Sequence, residues 1–194
     1  DEGLKKSDAD IAYISLPNSL HYYWTLKSLK AGYHVIVDKP ICATKNELEN
    51  LISFAKKNKK LLAEATFFNY HKQIDLTKNK IGDLKNIKHI HVNFIIPYPN
   101  TNSILISKKL NGGALMDMGP YAAAVSRIFG QSKIISKRII FKKNKFKLIT
   151  GFNLLCEYPT CSYTAYFNFG GEYHNELFLD TDKKTLKIER VFSP

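Results

Sequence analysis

The chain of 194 residues carries 29 Lys and Arg against 17 Asp and Glu, a formal net charge of +12, with 44% hydrophobic residues. That length makes one large domain or two small ones, and the mix of apolar and charged residues is that of a globular protein able to bury a core without staples. The positive charge does not by itself imply nucleic-acid binding: the excess lies in lysine runs at 56–60 and 142–145, which suit a helix end and a turn between strands, not one basic face interleaved with aromatics.

Residues 10–16 (Asp-Ile-Ala-Tyr-Ile-Ser-Leu) form a short apolar run stopped by Pro17, which predicts a buried strand. Asn18-Ser19-Leu20-His21 then opens an amphipathic stretch over 22–30, closed by Ala31-Gly32. A second strand over 34–37 stops at Asp38-Lys39-Pro40. Thr44 and Glu47 have the spacing of a capping box for a helix to about Asn58, and a third strand begins at 61–63. Strand, helix, strand, helix, strand at these lengths requires parallel crossovers, part of a doubly wound Rossmann-type sheet.

From about Phe68 the pattern changes. In 87–97, His89, His91 and Asn93 alternate with Ile90, Val92 and Phe94, and strands are also predicted within 134–147, 152–157, 163–169, 176–179 and 185–190. One helix is expected among them, over 121–129 before Gly130. The expected fold class is therefore α/β: a partial parallel sheet over 1–67, then an α+β domain over 68–194 with a largely antiparallel open sheet. Three cysteines, Cys42, Cys156 and Cys161, have no zinc spacing, which leads us to expect reduced thiols, a cytoplasmic setting and no metal. The longest uncharged stretches are interrupted by Pro, Asn, Ser or His, so no membrane partner is expected, and no secretory leader opens the chain.

Three groups of residues could carry chemistry. Leu16-Pro17-Asn18-Ser19-Leu20-His21 lies at the carboxyl end of the first strand, where open parallel sheets bind ligands. Asn18 there either meets a cofactor or caps the helix. Asp38-Lys39-Pro40 lies at the next strand end, as a polar turn or as the source of an ammonium used in a site. In Asn111-Gly-Gly-Ala-Leu-Met-Asp-Met-Gly-Pro-Tyr121, Asp117 and Tyr121 are four apart and share one face of a helical turn. Pro120 must then sit in the helix's first turn, or the spacing argument weakens. The alternative is a glycine turn followed by a packed helix with Tyr121 in the core.

Pro17-Asn18 with His21, Asp38-Lys39-Pro40 and the Gly112–Tyr121 segment occur in the order found in the Gfo/Idh/MocA oxidoreductases, and the chain resembles that family from about residue 8 onward. A narrower likeness, to the NDP-hexose 3-ketoreductase branch, rests on Ala65-Thr66-Phe67-Phe68 with His71, Ile95-Ile96-Pro97, Tyr121 and Arg190-Val-Phe-Ser-Pro194. The resemblance implies bound NADP or NAD. It implies that Leu16, Pro17, Asn18, His21, Asp38 and Lys39 line the cofactor, and that Lys39, Asp117 and Tyr121 are catalytic. Its substrate would be a sugar or nucleotide-sugar, reduced or oxidised by hydride transfer, with Lys39 or Tyr121 moving the proton. It further implies a homo-oligomer formed through the open sheet.

Two residues depart from the pattern: Asp38 stands for the usual Glu, and Leu105 where the branch often has Arg. No Gly-x-Gly-x-x-Gly follows a strand anywhere. The first strand resembles the family's fourth, so on the order of 60 N-terminal residues are expected to be missing and the C-terminal domain incomplete. The alternative readings are a non-catalytic sugar- or nucleotide-sensing paralogue, or an inactive fragment.

Overall fold

The computed structural model describes residues 2–130 and 133–193, so Pro194, the last residue of the motif quoted above, lies outside the described residues. The chain divides into two compact units, Asp1–Thr66 with Ser107–Gly112, and Phe67–Ile106 with Gly113–Pro194.

The first unit contains α1 (Glu2–Lys6), β1 (Ile11–Ile14), α2 (Asn18–Lys30), β2 (His34–Asp38), α3 (Lys45–Lys57) and β3 (Leu62–Ala65). The strands lie parallel in the order β1-β2-β3. Parallel neighbours cannot be joined by a tight turn, which is why a helix follows each of the first two strands. Ile14, Val35 and Val37 pack with Leu29 of α2 and with Leu51 and Ala55 of α3. The capping box forms: the Glu47 backbone N–H donates to Thr44 Oγ1, and the Glu47 carboxylate accepts from the Thr44 N–H. Two orphan donors at the start of α3 are satisfied this way.

The second unit contains α4 (Lys72–Ile81), β4 (Ile87–Ile96), α5 (Ala114–Phe129), β5 (Ser136–Lys143), β6 (Ile149–Glu157), β7 (Ser162–Phe169), β8 (His174–Thr181) and β9 (Thr185–Glu189). Its six strands run β5-β6-β7-β4-β8-β9. Every neighbouring pair is antiparallel except the central β4 and β7. The alternation in β4 sorts as its chemistry dictates: Ile90 and Val92 are fully buried, while His89, His91 and Asn93 occupy the half-buried opposite face. Met118, Val125 and Phe129 of α5 complete the core with Tyr163, Phe167 and Leu177.

Four local expectations need correction. The strand over 10–16, expected to be buried, is buried in β1 only at Ile14, while Ile11 and Tyr13 are more than half exposed. α4 was not anticipated, although Ile74, Thr77 and Ile81, its buried residues, have helical spacing. α5 starts at Ala114, seven residues before Tyr121, so Pro120 lies inside the helix and not in its first turn. The helix is continuous through it, and Asp117 and Tyr121 keep their one-turn relation. Asn18 does not cap α2; Pro17 takes the N-cap position, without a side-chain cap. Among the described residues no helix is long and apolar enough to cross a membrane.

Candidate functional site

In the first unit the candidate residues gather at the carboxyl ends of β1 and β2. Leu16 and Pro17 connect β1 to α2, with Leu16 partly exposed. The Asn18 side-chain amide donates to the carbonyl of Asn111 at 2.9 Å, and Asn111 itself is left-handed at φ 54°. Asn tolerates that region better than most residues. The start of α2 carries neither an acidic side chain nor a side-chain cap, so its positive dipole end is not offset by a local carboxylate.

His21 sits in the first turn of α2 and is 1% exposed. Its Nδ1 is 2.7 Å from the Pro40 carbonyl oxygen and its Nε2 2.6 Å from that of Leu16. The ring thus ties the end of β1 to the turn after β2. Asp38, the last residue of β2, accepts a hydrogen bond from the Tyr13 hydroxyl of β1. That carboxylate holds the Tyr13 phenol above its ordinary value, with burial and the negative charge adding to the effect. Lys39 follows, half-buried, joined to Pro40 by a cis peptide. The Ile41 N–H donates to Glu64 Oε1 at 2.9 Å, from β3. Tyr13 and Glu64 were missed in the sequence. Glu64 did carry a signal, as the one acidic residue in the short strand Leu-Ala-Glu-Ala.

In the second unit the site is built at the start of α5. Gly113, at φ 109°, precedes the helix; its N–H donates to the Leu105 carbonyl at 2.6 Å, and its own carbonyl accepts from Asp117 N–H at 3.0 Å. A Cβ there would approach the Ile149 carbonyl at 3.0 Å and Leu148 Cδ1 at 3.2 Å, so both backbone angle and space select glycine. Leu105 packs against the hydrophobic core.

Tyr121, two turns into α5, is framed by three rings. Phe192 stacks on it at 4.7 Å and 26°, while Phe68 and Phe94 meet it edge-on at 5.7 and 5.8 Å. Such edge and offset contacts suit aromatic quadrupoles and fix the ring plane. The segment bearing Phe192 is itself tied down: Phe192 N–H donates to Asn175 Oδ1 at 3.0 Å, and Gln73 Nε2 donates to the Val191 carbonyl at 2.9 Å. Asn175 Nδ2 donates to both Tyr173 Oη and Ser193 Oγ. Burial pushes the Tyr173 phenol up, but its bonds with Ser193 and Asn175 and the charge of Arg190 outweigh this and leave it below its ordinary value. The frame fixes the ring plane of a phenol whose hydroxyl can donate or accept a proton.

Comparison with known proteins supplies the remaining facts. The model of the Gfo/Idh/MocA oxidoreductase family, with an NAD-binding Rossmann fold, matches residues 1–66. A dTDP-3,4-didehydro-2,6-dideoxy-alpha-D-glucose 3-reductase of Streptomyces violaceoruber is 27% identical over 98% of the chain and 57% of its own length. The reductase of the same name from Saccharopolyspora spinosa is 31% identical over 65% of the chain and 39% of its own length. The chain therefore spans well under two thirds of these curated relatives. A 3-ketoreductase from Actinomadura kijaniata, solved with NADP and TDP-benzene, superimposes with a TM-score of 0.91 at 25% identity, covering 98% of the chain and 60% of the reductase. Solved structures of that reductase also include a lysine-to-alanine and a tyrosine-to-phenylalanine variant.

Proposed function

The chain belongs to the Gfo/Idh/MocA oxidoreductase family, and from that premise we propose that it is part of an NAD(P)-dependent ketoreductase acting on a nucleotide-linked hexose. The observation that carries the reading is the likeness to dTDP-sugar 3-reductases along 98% of the chain, spanning both units.

The residues present fit one part of a nicotinamide cofactor. Leu16 offers an exposed apolar side chain at the end of β1, beside the uncapped positive end of α2, and Lys39 adds a cation at the end of β2. The glycine-rich pyrophosphate turn is not among the 194 residues. When bound, NADPH or NADH supplies the hydride. In our reading Leu16, Pro17 and Asn18 line the cofactor, with His21 and Asp38 acting through the backbone and the phenol they hold.

Hydride arriving at a carbonyl carbon leaves negative charge on its oxygen, which needs a proton and a nearby cation. Tyr121 donates the proton from its hydroxyl; Lys39 stabilises the charge, and Asp117, one turn before Tyr121, orients the substrate. We further propose a homo-oligomer formed through the open six-stranded sheet, in a cytoplasmic setting that keeps the three free cysteines reduced.

The test is turnover of a dTDP-linked 3-keto sugar by the natural full-length protein, followed through NADPH absorbance. Tyr121→Phe and Lys39→Ala are each expected to lower turnover by ~10²–10⁴-fold, the range for general acid catalysis. Only the donor's loss should remove the basic limb of the pH profile. Near-normal turnover in both variants overturns the site.

A further inference from the structure

The turn that carries Lys39 is gripped at three positions by side chains from three different elements. Tyr13 of β1 donates to the Asp38 carboxylate, His21 of α2 bonds the Pro40 carbonyl, and Glu64 of β3 accepts from the Ile41 N–H. Lys39 lies between the first two of these anchors. None of the three gripping side chains sits in the turn itself.

We propose that Tyr13, His21 and Glu64 are positioning residues for Lys39, and that His21 performs this role as an imidazolium with a proton on each ring nitrogen. The first half of the proposal rests on the reading of Lys39 as the cation of the reaction; the second does not. The protonation state follows from donor arithmetic. Both partners of His21 are backbone carbonyl oxygens, which only accept. A neutral imidazole has one N–H, so one of its contacts would set a nitrogen lone pair against an oxygen lone pair. At 1% exposure no solvent layer relieves that contact. Two N–H donors satisfy both carbonyls.

The separations agree. At 2.6 and 2.7 Å they lie at or below the short end of N–H···O distances, where charge-assisted bonds fall. Burying the charge is costly on its own, and two bonds to carbonyl dipoles offset it. The same turn also carries the Asp38 carboxylate, bonded by Tyr13, and the Lys39 ammonium, and it receives the Glu64 carboxylate at Ile41. One ring thus fixes the carbonyls of Leu16 and Pro40 together, so the ends of β1 and β2 cannot part, and Lys39 enters the reaction already oriented.

The experiment has two arms on the natural full-length protein. In the first, ¹⁵N-histidine NMR at neutral pH, assigned by the loss of signals in His21→Gln, should give two proton-bearing ring nitrogens for His21. One proton-bearing and one bare nitrogen overturns the imidazolium. In the second, Glu64→Gln keeps an acceptor for Ile41 and should hold kcat near the parent, whereas Glu64→Leu should lower kcat by about 10²-fold with KM little changed, the scale of a misplaced catalytic group. Tyr13→Phe, which removes a single oxygen from an exposed ring, should also lower kcat and covers the case in which Glu64→Leu does not fold. If Lys39→Ala is inactive while Glu64→Leu and Tyr13→Phe turn over normally, the grip is wrong and the role of Lys39 stands. If Lys39→Ala itself turns over normally, that role is wrong, and the NMR arm still decides the state of His21.

Discussion

Tyr121 lies flat on Phe192, 4.7 Å between ring centroids, although 71 positions separate them and only Tyr121 belongs to a helix. Tyr121→Phe keeps this stack and removes only the hydroxyl. We expect it to leave the urea midpoint of the protein unchanged while turnover falls. Phe192→Ala opens the frame and should cost about 3–5 kcal/mol of stability, as buried Phe truncations do. A Tyr121→Phe variant that unfolds as readily as Phe192→Ala would show that the hydroxyl serves packing.

His91 makes a pH prediction. Burial lowers its affinity for a proton, the neighbouring His89 lowers it further, and Asp180 and Glu176 oppose them less strongly. The unfolded chain takes up this proton near pH ~6.5, while the folded protein takes it up only at lower pH. The unfolded state therefore holds more protons in that window, and stability falls as pH drops from about 6.5 through the folded value. His91→Gln should flatten that part of a urea-midpoint profile. An unchanged profile would remove His91 as its cause.

The thiols should differ in accessibility more than in acidity. Burial, with Glu157 adding, pushes Cys161 up to about 11, and burial also raises Cys156 and Cys42. Cys42 is the only one of the three that is not buried. Iodoacetamide at mildly alkaline pH is expected to label Cys42 slowly in the folded protein, and Cys156 and Cys161 only after denaturation, read by peptide mass spectrometry. Early labelling of Cys161 would mean that the β6–β7 hairpin opens readily.

Gly130 ends α5 without needing a left-handed backbone, since its φ is −69°. Space is what it supplies. A Cβ would come within 2.3 Å of the Ser126 carbonyl and 2.8 Å of the Tyr158 phenol, whose hydroxyl is bonded to Ser126 Oγ at 2.5 Å. Gly130→Ala should destabilise by about 1–3 kcal/mol, as overpacking does. Gly3→Ala, with nothing within 4 Å, is the control and should be near neutral.

Elements with a strong period were legible in the sequence. The capping box at Thr44, the parallel strands ending at Pro17 and Pro40, and the alternation of β4 all form as their residue types require. The order of strands in the second sheet was not legible, because pairing β4 with β7 depends on which faces bury together and not on any local motif. α4 escaped because Lys, Gln, Asp and Asn fill its exposed side and dilute the apolar spacing. At the site, residue types suggested which side chains matter, but not the partners of Asn18, His21 or Asp38. Apart from Leu16, those partners come from strands and loops distant in sequence, and backbone acceptors such as the Asn111 and Pro40 carbonyls leave no mark in the residue pattern.

The parallel β4–β7 pair has a kinetic consequence. β5, β6 and β7 can assemble through local hairpins, and so can β8 with β9, but β4 must join both groups, His89 meeting Ser162 across 73 positions and Asp180 across 91. Closing so long a loop costs entropy before any contact rewards it, so docking of β4 should limit the rate of folding. Val92→Ala, at the centre of that strand, is expected to slow refolding, whereas Ile188→Ala on the outer β9 should chiefly speed unfolding.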